Sequence, residues 1–166
     1  MASFYELREV YLATEVHFLN AAGQLCRTAP YDASFGPNQN TLVSTVDPSF
    51  VDAWVITASN PKSEELDDAA NNAYNLALGY DLLRAGFPVE SVVCSSPDGR
   101  WSESSFLVFG KTFEQSNQLA ILIRDLAVKY GQNAVFRFIA DEQQVVPVLD
   151  LTTLGSRKYT VAKDFQ

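Results

Sequence analysis

Asp52 to Ser59 reads DAWVITAS and is stopped by Asn60-Pro61. Trp54, Val55, Ile56 and Thr57 are strand formers in a run of strand length, and a proline at its end cannot continue a hydrogen-bonded ladder. A helix is expected next: Ser63 is placed to cap it, Glu64 and Glu65 fall in its first turn, Leu66, Ala70, Ala73, Ala77 and Tyr80 keep one side apolar, and Gly86 stops it. Pro88 to Cys94 reads as a second strand, Asp98-Gly99 as a turn, and Ser105 to Phe109 (SFLVF) as a third strand. Thr112 with Gln115 fits a capping box. The helix it opens carries Leu119, Ile123, Leu126 and Tyr130 on one side and ends at Gly131. Ala134 to Ile139 is a fourth strand.

The order β-α-β-β-α-β over residues 51–139 predicts an α+β, ferredoxin-like core, with two helices on one face of a four-stranded antiparallel sheet. Right-handed crossovers then gather the C-terminal ends of strands one and two and the N-terminal ends of strands three and four on one edge. Asn60, Pro61, Ser63, Asp98, Trp101, Glu103, Ser105, Gln132 and Asn133 fall there. Residues 1–50 and 140–166 read as N- and C-terminal extensions of one domain spanning residues 1–166. In them Phe4, Leu7 and Tyr11 have helical spacing, Glu15 to Leu19 suits a strand, and Thr28 to Asn40 is a Pro/Gly/Asn/Ser loop. Strand one offers Trp54, Ile56 and Ala58 on one face and Ala53 and Val55 on the other. Strand three offers Leu107 and Phe109 against Phe106 and Val108. Both faces are apolar, so the face away from the helices needs a cover, either the extensions or a partner protein.

Composition narrows the function classes. The 166 residues carry 12 Lys and Arg against 20 Asp and Glu, a net charge of -8 and a pI near 4.5. That argues against wrapping a phosphate backbone, which depends on clustered cations. Phe106 and Phe109 lack the basic and glycine neighbours of an RNA-stacking strand, so core packing accounts for them. Cys26 and Cys94 stand apart and His17 is the single histidine, which leaves no Cys/His zinc spacing and no CxxC pair. Early charges at Glu6, Arg8 and Glu9 do not suit a signal peptide, and no apolar run approaches the ~20 residues that span a bilayer. A cytoplasmic chain is expected, with peripheral attachment to a membrane complex left open. Gly110-Lys111-Thr112 has the end of a phosphate-binding loop but serine at position 105, where the first glycine belongs. Asp67-Asp68 and Asp141-Glu142 read as solvated surface.

The chain resembles the bacterial domain-of-unknown-function 3293 family. The likeness runs from about residue 10 to 139. It is carried by Tyr11 and Thr14, by Ile56-Thr57-Ala58-Ser59-Asn60-Pro61, by Asn71 and Asn75, by Asp98 through Phe106 (DGRWSESSF), and by Tyr130 through Phe136 (YGQNAVF). Tyr74 stands where that pattern has a basic residue, Ser104 where it has proline, and Tyr130 where it usually has Phe. The missing basic residue argues against an anionic ligand shared with the family, and the resemblance implies no activity.

Among single residues, Glu103 between Trp101 and Ser105 is the candidate for acid or base chemistry, because a carboxylate beside an indole is readily desolvated. The alternative is a local cap beside a hairpin. A Ser-His-acid triad at Ser105 would have to recruit His17. The amides Asn60, Asn71, Asn75, Gln132 and Asn133 suit a neutral polar ligand, and equally suit backbone groups left over at strand ends. Two functions follow. The first is a non-catalytic protein-protein interaction module, an accessory subunit docked on a larger assembly, soluble or membrane-bound, with a protein partner and no cofactor or metal. The second is a small-molecule-binding protein or enzyme using the edge around Glu103, Asn60 and Gln132.

Overall fold

The computed structural model of the chain describes residues 7–30, 52–139, 142–148 and 155–163. Among these, α1 is Arg8–Ala13, β1 Glu15–Leu19, β2 Leu25–Pro30, β3 Asp52–Ile56, α2 Asp68–Ala85, β4 Val89–Ser95, β5 Ser102–Gly110, α3 Phe113–Lys129, β6 Ala134–Ile139, β7 Glu142–Pro147 and β8 Gly155–Lys163. A short 3-10 turn, Pro61–Ser63, lies between β3 and α2.

The strands form one antiparallel sheet in the order β1-β2-β8-β7-β6-β3-β5-β4, and β1 pairs with β4 to close it as a barrel. This corrects the expected four-stranded ferredoxin-like sheet. β3 does lie between β5 and β6, and β5 between β3 and β4, but the sheet does not end there. The segments read as extensions supply β1, β2, β7 and β8. The physical reason is the second apolar face: Ala53, Val55, Leu107 and Phe109 pack with Val16, Phe18, Cys26, Phe136, Phe138 and Val145 inside the barrel. Curling the sheet on itself buries that face without a separate layer. The opposite face of β3 and β5, with Trp54, Ile56 and Val108, is covered by Leu78 and Leu82 of α2 and by Leu119, Ile123 and Leu126 of α3. β3 is therefore buried on both sides along its length, and this is why it reads as a continuous apolar run.

α3 starts as its capping residues dictate. Thr112 accepts a hydrogen bond from the Gln115 backbone N–H at 3.1 Å, and the Gln115 side chain accepts one from the Lys111 N–H at 3.0 Å. α2 differs from the sequence expectation twice. Its cap is Asp67, which accepts from the Ala70 N–H at 2.7 Å, and not Ser63. The buried side carries Asn75, Leu78 and Leu82, while Tyr80 is exposed. Leucines on both sides of this helix, with Tyr74 and Tyr80 exposed, leave its apolar periodicity without one preferred phase.

Buried charges are matched. Asp52 accepts the Ser116 hydroxyl at 2.6 Å and the Arg137 guanidinium at 2.9 and 3.1 Å, and Arg137 lies over the Trp54 ring at 5.1 Å. Glu15 receives Arg27 across β1 and β2 at 2.7 Å. No described helix is long and apolar enough to cross a membrane.

Because β1 is a wall of the barrel, Phe18→Ala should cost about 3–5 kcal/mol, as other aromatic-to-alanine core changes do. Denaturant titration monitored by circular dichroism reads this directly. A midpoint equal to wild type would show that the N-terminal strand is dispensable.

Candidate functional site

The turn after β3 decides the geometry at one end of the barrel. Asn60, Lys62 and Ser63 all have positive φ (48°, 57° and 60°), a region that non-glycine residues occupy at a cost of roughly 1–3 kcal/mol each. The turn persists because its surroundings bond it at nearly every polar atom. The Asn60 N–H donates to Asn71 Oδ1 at 2.8 Å, and Asn60 Oδ1 accepts from the Leu66 N–H at 2.9 Å and Asn71 Nδ2 at 3.0 Å. The Lys62 N–H donates to the Gly131 carbonyl at 2.6 Å. Gly131, at φ 67°, sits so close that a Cβ there would lie 3.1 Å from Pro61 Cβ. Behind the turn Asn75 is buried. Its Oδ1 accepts the Ala58 N–H and its Nδ2 donates to Ser59 Oγ, both at 2.8 Å. Gln132 donates to the Ser59 carbonyl at 3.0 Å, and Asn133 to Ser63 Oγ at 2.9 Å. The amides thus fasten strand ends and the turn to each other.

Beside this fastened turn lies a cavity of about 590 Å³. Its wall takes Val55, Thr57, Ser59 and Asn60 from β3 and the turn, Cys94 from β4, Arg100 and Trp101 from just before β5, Ser102, Glu103 and Ser105 from its start, Gln132 from just before β6, and Ala134 and Phe136 from β6 itself. Leu7, Val10, Tyr11 and Thr14, in and around α1, line it as well, together with Ser63, Glu65, Leu66, Asp68 and Asn71.

Glu103 is half-buried in this wall. One carboxylate oxygen accepts Asn60 Nδ2 at 2.8 Å, and the other has no hydrogen bond among the described residues. Burial holds its pKa above the ordinary glutamate range, partly offset by the bond from Asn60. The Cys94 thiol is pushed up to about 12, chiefly by burial, so it is not a nucleophile at neutral pH. Trp101 is partly buried against the barrel interior, and Tyr11 reaches Ser63 Oγ at 3.3 Å.

Of the residues singled out from sequence, Asn60, Asn71, Trp101, Glu103, Ser105 and Gln132 line the cavity. Asn75 and Asn133 support its wall through Ser59 and Ser63. Asp98 is exposed and pairs with Arg100 at 3.0 Å. No triad assembles at Ser105, because His17 Nε2 lies 2.9 Å from Ser95 Oγ while the Ser105 hydroxyl donates to the Glu103 carbonyl at 3.4 Å. Sequence reasoning missed the share of α1. Leu7 and Tyr11 were visible at helical spacing, but nothing in that spacing says where the helix docks.

Residues 56–135 match the model of the family described as protein of unknown function (DUF3293). Through this segment the chain is similar to that family. The match contains the turn, Asn71 and Asn75, Glu103 and Gln132; α1 lies outside it. No curated protein and no solved structure matches the chain.

The raised pKa of Glu103 means that the folded state holds its proton more tightly than the unfolded chain does. The resulting stability is fully present below the ordinary glutamate pKa and is lost as pH rises through the raised folded value. Glu103→Gln keeps an oxygen for Asn60 Nδ2 and removes the charge. It should therefore melt above wild type at pH 7.5, with the difference shrinking towards pH 4. A thermal melt series that instead shows the variant less stable at pH 7.5 would mean the ionised carboxylate is well compensated in the fold.

Proposed function

We propose that the protein binds a small molecule in the barrel-end cavity, with Glu103 as the polar anchor. One observation carries this reading: in a cavity of ligand size, where pockets usually run to ~300–1,000 Å³, a half-buried carboxylate has one oxygen with no bond while the amides around it are committed to the fold. A carboxylate whose charged form is disfavoured by burial, placed in a cavity wall, is a common mark of a functional site. The site residues are Asn60, Trp101, Glu103, Ser105 and Gln132, joined by Tyr11. The two buried free thiols suit a reducing compartment, and we place the chain in the cytoplasm.

A fragment screen followed by amide chemical shifts tests this. Binders should move the signals of Tyr11, Thr57, Trp101 and Ala134. Ala134→Phe, which fills the cavity from its wall, should weaken them at least about tenfold with little change in melting temperature, since the new ring enters open space. A screen in which no fragment at millimolar concentration moves those signals would overturn the reading.

The interaction-module reading keeps one observation in its favour. Leu76, Tyr80 and Leu83, four and three residues apart on α2, are 63%, 56% and 68% exposed, an apolar helix face that suits a protein partner. Of its other supports, the second apolar sheet face lies inside the barrel, and the extensions that would wrap a partner instead supply β1, β2, β7 and β8 of the sheet. On this reading, tagged protein isolated gently from its native cells carries a stoichiometric partner that Leu76→Glu with Leu83→Glu releases. Isolation as the bare chain would count against it.

A further inference from the structure

Among the described residues, the sheltered carboxylates follow a rule that Glu103 breaks. Glu15 is paired with Arg27 at 2.7 Å, Asp52 with Arg137 at 2.9 Å and Asp81 with Lys129 at 2.7 Å. Glu103, with one oxygen bonded to a neutral amide and the other bonded to nothing described, has no cation. An ionised carboxylate taken out of water is stable only when paired and hydrogen-bonded, so the missing partner is a positive charge. Arg100, the one cationic side chain described in the cavity wall, is exposed and engaged with Asp98 at 3.0 Å, whereas Glu65 and Asp68 add two further carboxylates to the rim. Two aromatic rings, Tyr11 and Trp101, line the same space, and the faces of such rings attract cations. Val55, Ala134 and Phe136 supply an apolar floor.

We infer that the cavity selects a small organic cation, a protonated amine on an apolar body, whose ammonium bonds the open oxygen of Glu103 while its body lies against Trp101 and Phe136. This rests on the cavity being a binding site. A bare metal ion fits less well. Hard divalent cations take six or more oxygen ligands, commonly from several carboxylates, and the described residues hold no group of three or more His, Cys, Asp or Glu able to share one. The raised pKa of Glu103 agrees with a carboxylate that still lacks its counter-charge.

Three probes of one shape and different charge separate the possibilities: benzylamine, benzyl alcohol and benzoate, titrated into the full chain at pH 7.5 with amide chemical shifts as the readout. Benzylamine should bind at least about tenfold more tightly than the other two, in keeping with a charge-assisted hydrogen bond. Glu103→Gln, which keeps the shape and the bond from Asn60, should erase that preference. Trp101→Leu should weaken benzylamine about threefold while leaving benzyl alcohol less affected. If benzyl alcohol or benzoate binds as tightly as benzylamine, or if Glu103→Gln leaves the preference intact, the cation inference is overturned and the cavity reading stands. If none of the three binds while other fragments move the cavity signals, the result is the same. Silence from every probe and every fragment overturns both.

Discussion

Closure of the sheet by β1 on β4 is the constraint from which the rest follows. Glu15, Val16 and His17 pair with Ser95, Cys94 and Val93, and with that ladder made, no strand of the ring has an open edge. The inner side chains then meet across a closed space and α2 and α3 pack only on the outside. The closed sheet also makes one end of the barrel a rim built from consecutive strand ends: the end of β3, the end of β4, and the starts of β5 and β6. Residues distant in sequence share a wall there because closure leaves them nowhere else to go.

At that rim the two readings of the amides merge. Asn60, Asn71, Asn75, Gln132 and Asn133 bond backbone groups, serine hydroxyls and each other, as strand-end amides ordinarily do, and by doing so they hold three residues in left-handed conformations. Local strain of this kind survives where surrounding bonds over-determine it, and it is commonly found where a protein binds something. The amides act as scaffold, and the chemistry they position belongs to Glu103. Had Asn60 been basic, Glu103 would have been another internal ion pair like Asp52 with Arg137.

The parts of the fold that were legible in the sequence were those with a local cause. β3 announced itself by an apolar run stopped at proline, α3 by Thr112 and Gln115 and a clean side of Leu119, Ile123 and Leu126, and the gathering of Asn60, Trp101, Glu103 and Gln132 by crossover handedness. What failed had causes beyond the local window. The start of α2 was displaced by a left-handed turn built from Asn, Lys and Ser, residues that carry no glycine signal. Its face was misjudged because Leu76 and Leu83 look outward while Leu78 and Leu82 look inward. The barrel was missed because Cys26 pairs with Lys163 and Gln143 donates to the Thr14 carbonyl, pairings that no short pattern encodes. The apolar second face did pose the right question, and its answer lay in the weakly patterned ends of the chain.

Those distant pairings bear on how the chain reaches its native state. The β2–β8 ladder joins Cys26 to Lys163 and Thr28 to Val161, close to the two ends of the chain, so loop-closure entropy must be overcome before either strand is rewarded. Topologies of this kind fold slowly compared with helical bundles. Until the ring shuts, the partly assembled sheet has two bare edges and an unfilled apolar interior, and both invite another chain. Losses to aggregation should therefore depend on concentration and fall in the interval before closure, while the finished barrel offers a second molecule no strand to add to.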